Sequence, residues 1–133
     1  MEVTCSSLWN SWSRSTDIDF STDLANQAKD RIAKFSKEDW SEMTKEAVNI
    51  TNDLSYLVKN NIPVDNKLAE KAFDDLICHL DEWFFKPTHV YIVTISIHTQ
   101  DESTRIHRFF DQFEPGLGLY VSRLLLKYSK KII

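Results

Sequence analysis

Glycine is scarce in this sequence, with two residues in a chain of 133, where an average usage of about 7% would give roughly nine. The sequence accordingly has no glycine-rich phosphate loop and no dinucleotide-binding fingerprint. Both glycines lie in the stretch DQFEPGLGLY, residues 111–120, just after Pro115. Because glycine permits tight turns and close backbone approach, Gly116 predicts a turn, and Gly118 predicts a helix that lies close to a neighbour or a ligand.

Cysteine and long apolar runs are rare as well. Cys5 and Cys78 are too far apart for a metal or redox motif, which indicates two free thiols in a reducing, cytoplasmic protein. No apolar stretch approaches the roughly 18 residues of a membrane span, and the first residues lack the pattern of a signal peptide. The net charge of -4 leaves no chain-wide basic field. We therefore expect no membrane partner, no nucleic acid bound through this chain, and a monomer or weak dimer.

Residues typical of catalytic and metal sites occur without a catalytic arrangement. The histidines follow one another at about nine or ten residues, or two and a half helical turns, so adjacent members face different ways. Neighbouring carboxylates on a helix point about 100° apart and form no acid/base pair by themselves. These residues are His79, His89, His98 and His107, and the pairs Asp74–Asp75 and Asp81–Glu82. No partner pattern accompanies His79 or His98 as a haem ligand. The sequence predicts no enzyme, no metal and no cofactor.

The spacing of apolar residues predicts helices along the whole chain. The residues from Ser36 to Asp39 form a capping signal, and the helix that they open has apolar residues at steps of three and four. Pro63 stops this helix, and Asp65 is predicted to cap the next, which extends from about residue 66 to 85. The last helix is expected from about residue 117 to 130. Short connections between the helices indicate a bundle or a globin-like array.

The stretch HVYIVTISIHT is ambiguous, since its β-branched residues favour a strand. A single strand among helices would have no pairing partner, so we predict that residues 88–98 are helical. The domain prediction is a loose or ligand-ordered arm over residues 1–20 and one helical domain over residues 21–133. The arm is unusual for a solvated tail because it contains Trp9, Trp12 and Phe20.

Aromatic residues are abundant, at 12% of the chain. The consecutive rings of Trp83, Phe84 and Phe85 are not expected to face one core together, and the same holds for Phe109 and Phe110. Some of these rings are therefore predicted to face outward or into a cleft. Two interpretations stay open, an aromatic core with one exposed ring and a ligand groove with aromatic walls. On the helix predicted from about residue 66 to 85, the apolar face is expected to include Leu68, and Cys78 is expected to be a buried thiol.

Three stretches, in order, are similar to the TipAS-type antibiotic-recognition domain. They are KFSKEDWSEM (34–43), NNIPVDNKLAEKAFDDLI (60–77) and DESTRIHRFFDQFEPGLGLYVSRLL (101–125). The features that carry the resemblance are the helix start at Ser36–Trp40, the pair Pro63 and Asp65, and the series Arg105, Phe109, Asp111 and Pro115–Leu117. The family is the drug-binding half of thiostrepton-induced, MerR-type transcriptional regulators and also occurs as free-standing modules. The resemblance implies an all-α, globin-like array of about six helices without haem. It also implies a cleft for bulky, often macrocyclic antibiotics, and N-terminal helices that order when drug binds.

The sequence departs from the family pattern at the expected nucleophile. In the type member a cysteine adds to a dehydroalanine of the drug, and Val93 lies at the corresponding position here, about four turns from Cys78. The tyrosine expected near His98 is missing, as is an aromatic–Gly pair before the first helix. No winged helix or long coiled coil precedes the domain, so we expect a free-standing binder or a fragment of a regulator. Any antibiotic is predicted to bind non-covalently.

The function predicted from the sequence is non-covalent binding of a bulky antibiotic in an aromatic-lined cleft, for drug sensing or sequestration. The alternative is a helical module for protein–protein interaction, which would present a flat apolar patch instead of a pocket. The residues predicted to contact the ligand are Trp40, Trp83, Phe84, Tyr91, Phe109, Phe110, Phe113, Gly116 and Tyr120.

Deleting residues 1–20 should leave a well-folded domain with weakened ligand binding, because we expect the arm's aromatic rings to close over the ligand. Burial of one ring contributes about 1.5–3 kcal/mol, while ordering the backbone costs about 1–2 kcal/mol per residue. Burial of the arm's rings alone therefore does not offset the free energy needed to order the arm, and ligand contacts must supply the rest. Thermal unfolding and ligand titration of the truncated chain test this hypothesis. An unfolded truncated domain, or an unchanged ligand affinity, would contradict it.

Overall fold

The computed structural model describes residues 22–132, and within them it contains six α-helices and no strand. The predicted arm, with its tryptophans and Cys5, lies outside the described residues. The helices are α1 (Thr22–Ala33), α2 (Lys37–Lys59), α3 (Lys67–Trp83), α4 (His89–Gln100), α5 (Arg105–Phe113) and α6 (Leu117–Tyr128), followed by a 3-10 helix (Ser129–Ile132). The prediction of an all-α fold is confirmed, and so is the prediction that the β-branched segment is helical.

Local side-chain caps explain where α2 and α3 begin. Ser36 and Asp39 form the predicted capping box, because the side chain of each accepts a hydrogen bond of 3.0 Å from the backbone amide of the other. The residue that caps α3 is Asn66, whose Oδ1 accepts from the Leu68 amide at 2.9 Å. The prediction that Asp65 is the cap is therefore wrong by one residue. The Asn66 amide donates to the Pro63 carbonyl at 3.1 Å, and this turn places Asp65 before the cap.

Helix α4 packs most extensively against α6. Ser96 Oγ donates to the Ser122 carbonyl at 2.8 Å, and Ser122 Oγ donates to the Ser96 carbonyl at 2.7 Å. Further along, His89 Nδ1 lies 2.9 Å from the Ser129 carbonyl, so the two helices run antiparallel. Small side chains at the crossing let the backbones approach closely, and each buried hydroxyl has a partner.

Helix α1 is held against the C-terminal end of α3. Arg31 donates to the carbonyl of Asp81, and Gln27 accepts from the backbone amide of Lys86 at 3.2 Å. Leu24, which is buried, contributes the apolar side of α1 to the core. Apolar packing and two polar contacts together fix α1 on the rest of the domain.

The core contains several rings that were predicted to face outward or into a cleft. Trp83, Phe84 and Phe85 are all buried, with exposures of 8%, 3% and 4%. Helix α3 ends at Trp83, Phe84 leaves the helical conformation (φ -124°, ψ -65°), and the Phe85 amide bonds to the Leu80 carbonyl. The chain therefore leaves the regular helix at this point, and all three rings are buried, which the assumption of a continuing helix had excluded.

Helix α5 also buries two consecutive rings, Phe109 and Phe110, whose planes meet edge to face at a centroid distance of 5.8 Å. The prediction that one of this pair faces outward is wrong. Phe113 is half-buried and, together with Leu124 and Tyr128 of α6, packs against the same core. Helices α5 and α6 therefore share one core.

Two predictions about the buried face of α3 are wrong. Cys78 is exposed, because it lies two residues from both Leu76 and Leu80, which point to the core. Leu68 is 54% exposed, since it lies in the first turn of the helix, where Ala69 and not Leu68 faces the core.

The two glycines form the joint between α5 and α6. Gly116 has a φ of 91°, in the left-handed region that favours glycine, and its lack of a side chain leaves α6 without a cap of its own. Asp111 of α5 supplies the missing group, because its Oδ1 accepts from the Gly118 amide at 2.8 Å. A Cβ on Gly118 would lie 2.8 Å from Nδ1 of His107. Gly118 therefore allows α6 to contact α5 closely. The sequence predicted that Gly118 would lie close to a neighbour or a ligand, and the structure shows that this neighbour is α5.

Substitution of Gly118→Ala should destabilise the domain by about 1–2 kcal/mol. The added methyl group would collide with the His107 ring and lie 3.0 Å from Asp111 Oδ1. The cost of overpacking, about 1–3 kcal/mol, exceeds the gain in helix propensity of up to about 1 kcal/mol. Urea unfolding followed by circular dichroism measures the change. In a His107→Ala background the cost should shrink, and equal costs in both backgrounds would show that the ring is not the obstacle.

Candidate functional site

An aromatic cluster joins the start of α2 to the end of α3. The ring of Phe35 lies 5.1 Å from that of Trp40 and 5.6 Å from that of Trp83, both edge to face, and 6.5 Å from that of Phe84. Three of the predicted ligand-contacting residues are thus brought together. Phe35 was not among the predicted residues, although its position before the cap Ser36 is typical of a hydrophobic staple to the residue four positions into the helix.

A carboxylate joins two polar ring edges of this cluster. Glu46 Oε1 lies 2.6 Å from His79 Nδ1 and accepts from Trp83 Nε1 at 3.3 Å. His79 is fully buried, and burial lowers its pKa, while the contact with Glu46 acts in the opposite direction. The neutral ring therefore donates its Nδ1 proton to the carboxylate. Burial also raises the pKa of Glu82, and so do the charges of Glu46 and Glu42. The arrangement gives the polar edges of two rings a shared hydrogen-bond acceptor.

A pocket of about 380 Å³ lies between the end of α2, the loop that follows it and the start of α6. We call it the α2–α6 pocket. Its lining residues are Leu57, Val58, Asn61, Ile62, Pro63, Val64, Gly116, Leu119, Tyr120 and Arg123. The loop belongs to the stretch NNIPVDN and the α6 residues to the stretch around PGLGLY, so two of the family-like motifs meet here. Two predicted ligand-contacting residues, Gly116 and Tyr120, line this pocket.

Tyr120 differs from the other tyrosine near the pocket in its hydrogen bonding. Its hydroxyl is buried and makes no hydrogen bond with any residue that the structure describes. Burial raises the pKa of the Tyr120 phenol, and nearby Tyr128 adds to the effect. Tyr128, in contrast, donates its hydroxyl to the Val64 carbonyl at 2.8 Å. A buried hydroxyl without a partner is costly, and Tyr120 is one of the residues that line the α2–α6 pocket.

A second concavity of about 390 Å³ lies between α2 and α3 and was not predicted. Its apolar edge includes Tyr56 and Leu68, which are 56% and 54% exposed. Asp53 and the ion pair between Lys71 and Asp75, 2.8 Å apart, line the polar side. No sequence pattern singled out this groove, because Leu68 was expected to face the core and the polar residues Asp53, Lys71 and Asp75 are typical of a solvated helix face.

The remaining predicted contact residues lie elsewhere in the core. Tyr91 is buried and packs edge to face on Phe85 at 4.8 Å. Phe109 lies between Phe110 and Phe113, at centroid distances of 5.8 and 5.1 Å. The nine predicted residues therefore fall into four places and do not surround one cleft in the described structure. Their contact with a ligand stays a prediction.

Exposed apolar residues also lie on α4. Val90 and Ile97 are 73% and 62% exposed, and Val93 between them is half-buried.

Residues 22–132 contain no cluster of His, Cys, Asp and Glu that could hold a metal ion. None of the helices in that range has the length and apolar character needed to cross a membrane.

Comparison with known proteins agrees with the resemblance in the sequence. The model of the family described as the TipAS antibiotic-recognition domain matches residues 12–128. Among solved structures, the chain is similar to TipAS in complex with nosiheptide, from a thiopeptide antibiotic multidrug resistance system of Streptomyces lividans. The TM-score is 0.71 with 25% sequence identity, covering 84% of this chain and 77% of that chain. No curated protein matches at a significant level.

The free energy of unfolding should decrease as the pH falls below about 6.5, partly because of His79. The pKa of His79 is lower in the folded domain than its ordinary value of 6.5, so in this range the unfolded chain binds more protons and acid favours unfolding. One such group contributes a slope of up to about 1.4 kcal/mol per pH unit. Urea unfolding between pH 7.5 and 5.5 measures the slope. The His79→Gln variant should show a smaller slope, and identical slopes would contradict the assignment.

Proposed function

This chain belongs to the TipAS antibiotic-recognition domain family, and we propose on that basis that it binds a bulky, macrocyclic antibiotic of the thiopeptide class. The observation that carries the proposal is the family match over residues 12–128. It is supported by the similarity in fold to TipAS in complex with nosiheptide. Two of the matching sequence stretches also enclose a concave apolar pocket, which is the shape typical of small-molecule sites.

The proposed ligand contacts begin with the accessible members of the predicted set. Gly116 and Tyr120 line the α2–α6 pocket, and Trp40 is a half-buried member of the aromatic cluster. A pocket of about 380 Å³ lies near the lower end of the range for drug-sized ligands, about 300–1,000 Å³. It therefore takes one part of a macrocycle, and the remainder lies on the surface outside. The buried rings of the predicted set lie beneath these residues and support the walls of the proposed site.

Binding in this proposal is reversible and is not followed by a reaction, so the chain is a binding protein and not an enzyme. Val93, which aligns with the nucleophile of the type member, has an unreactive side chain. The second reason for expecting reversible binding, burial of Cys78, is withdrawn, because that thiol is exposed. The proposed role is drug sensing or sequestration in the cytoplasm, as the effector domain of a transcription regulator or as a free-standing module.

Nosiheptide should bind the chain reversibly with a 1:1 stoichiometry. We expect calorimetry to detect binding, and tryptophan fluorescence to change, because Trp40 lies at the accessible edge of the aromatic cluster. At a free ligand concentration of 100 times Kd, mass action should stabilise the folded domain by about 2.7 kcal/mol. After incubation with a thiopeptide that contains dehydroalanine, intact-mass spectrometry should show the unmodified protein.

The Cys78→Ser variant is the control for the reversible mode. An adduct that forms on the wild-type chain and is absent from this variant would show that the exposed thiol reacts, and would contradict non-covalent binding. Failure of nosiheptide and related macrocycles to bind at all would count against antibiotic recognition itself. That result would favour the alternative, a module for protein–protein interaction. The exposed Tyr56 and Leu68 beside the α2–α3 groove support this second candidate.

A further inference from the structure

The α2–α6 pocket combines an apolar wall with one unused hydrogen-bonding group. Leu57 and Val64 belong to the wall, and the ring of Tyr120 forms part of it while the hydroxyl of that ring is buried without a partner among the described residues. Buried polar groups in folded proteins nearly always have hydrogen-bond partners. The Tyr120 hydroxyl is an exception beside an open pocket, so we expect a ligand in that pocket to supply the missing acceptor.

We propose that the α2–α6 pocket binds an apolar group that carries a hydrogen-bond acceptor, and that Tyr120 Oη donates to this acceptor after a small shift of its ring. An aryl or alkyl ketone, ester or amide has the required chemistry. The apolar part replaces water against the wall, and the carbonyl oxygen satisfies the hydroxyl. A purely apolar group would leave the hydroxyl unpaired, and an ammonium group, which only donates, would not accept its proton.

Charge around the pocket favours the same class of ligand. Arg123 lines the mouth, and its side chain is cationic at neutral pH. At the joint before α6, Glu114 forms an ion pair of 3.4 Å with Lys59, so this carboxylate is already neutralised by a partner. The lining residues include no acidic side chain. A neutral or anionic acceptor is therefore favoured over a cation.

This inference rests on the proposed function for the identity of the natural ligand, since the pocket would take one acceptor-bearing side group of the macrocycle. The pocket can nevertheless be tested with small probes. Acetophenone has the aryl group and the carbonyl acceptor, toluene has the aryl group without an acceptor, and 1-phenylethylammonium has a cationic donor in place of the carbonyl. All three are small enough for a pocket of about 380 Å³.

Titration of the whole chain with each probe, followed by backbone amide NMR, locates and measures binding. Acetophenone should shift the amide signals of Val64, Gly116, Leu119 and Tyr120, and 1-phenylethylammonium should bind more weakly than acetophenone. The Tyr120→Phe variant should weaken acetophenone about three- to tenfold, the range expected for one hydrogen bond, and change toluene affinity less than twofold. Its melting temperature without ligand should stay the same or rise, because the variant removes an unpaired buried hydroxyl. A merely structural role would lower it.

Two matched controls accompany these variants. Tyr56→Phe removes a hydroxyl from an exposed tyrosine outside the pocket, and it should not alter acetophenone binding. Leu119→Trp fills the pocket, while Leu126→Trp makes the same change seven residues later on the same face of α6, at a site that is 58% exposed. Acetophenone binding should be lost in the first variant and retained in the second.

The outcomes separate this inference from the proposed function. The inference is overturned if acetophenone shifts no pocket amide, or if Tyr120→Phe weakens acetophenone and toluene equally or weakens neither. It is also overturned if nosiheptide binds the wild-type chain and Leu119→Trp equally well, although antibiotic binding would then stand. If the probes behave as expected and nosiheptide does not bind, the pocket chemistry is supported and the proposed function fails.

Discussion

The approach of α6 to α5 at Gly118 determines how the α2–α6 pocket is built. Gly116 turns the chain with a positive φ and offers no side chain as a cap, so the first turn of α6 depends on Asp111 of α5 for a hydrogen-bond acceptor. The carboxylate reaches the Gly118 amide because no Cβ keeps the two helices apart. Tyr120 and Arg123, further along α6, are thereby placed against the loop after α2. The pocket is a consequence of this joint and not an independent feature of either helix.

The aromatic cluster solves a second physical problem, the burial of polar ring edges. Trp83 and His79 both have ring nitrogens that need partners inside the domain, and Glu46 accepts from both. The ring faces can then pack against Phe35 and Phe84 in edge-to-face contacts, which are favourable for aromatic pairs. This cluster joins the start of α2 to the end of α3, with the indole of Trp40 at its edge.

Reversible capture and family membership are compatible in this chain. The family match and the similarity to TipAS concern the fold and the order of the motifs, whereas covalent capture requires a thiol at one position. Here that position holds Val93, and the described cysteine, Cys78, faces solvent on α3. In the proposed reversible mode, affinity would come from burial of apolar surface and from hydrogen bonds to groups such as the Tyr120 hydroxyl.

Local sequence was sufficient where the physical cause is local. The capping box at Ser36 and Asp39, the apolar stripe of α2 and the turn at Gly116 depend on residues within a few positions of each other, and the structure agrees with each. Two predictions were wrong, the burial of Cys78 and the cap at Asp65. Burial of Cys78 depends on how α3 is rotated against the core. The position of the cap depends on the turn from Pro63, which moves the start of the helix by one residue.

Other features were decided by tertiary structure. Three consecutive rings from Trp83 onward are buried because the chain leaves the helix at that point and is surrounded on several sides. The α2–α6 pocket joins two groups of residues that are more than fifty positions apart in the sequence, and no periodicity relates them. The sequence by itself determined which segments are helical, where α2 is capped and to which family the motifs point, because these follow from short-range hydrogen bonding and residue order. Only the packing of the helices decided which side chains share a pocket, because a contact between distant segments depends on crossing angles and close approaches that no single segment encodes.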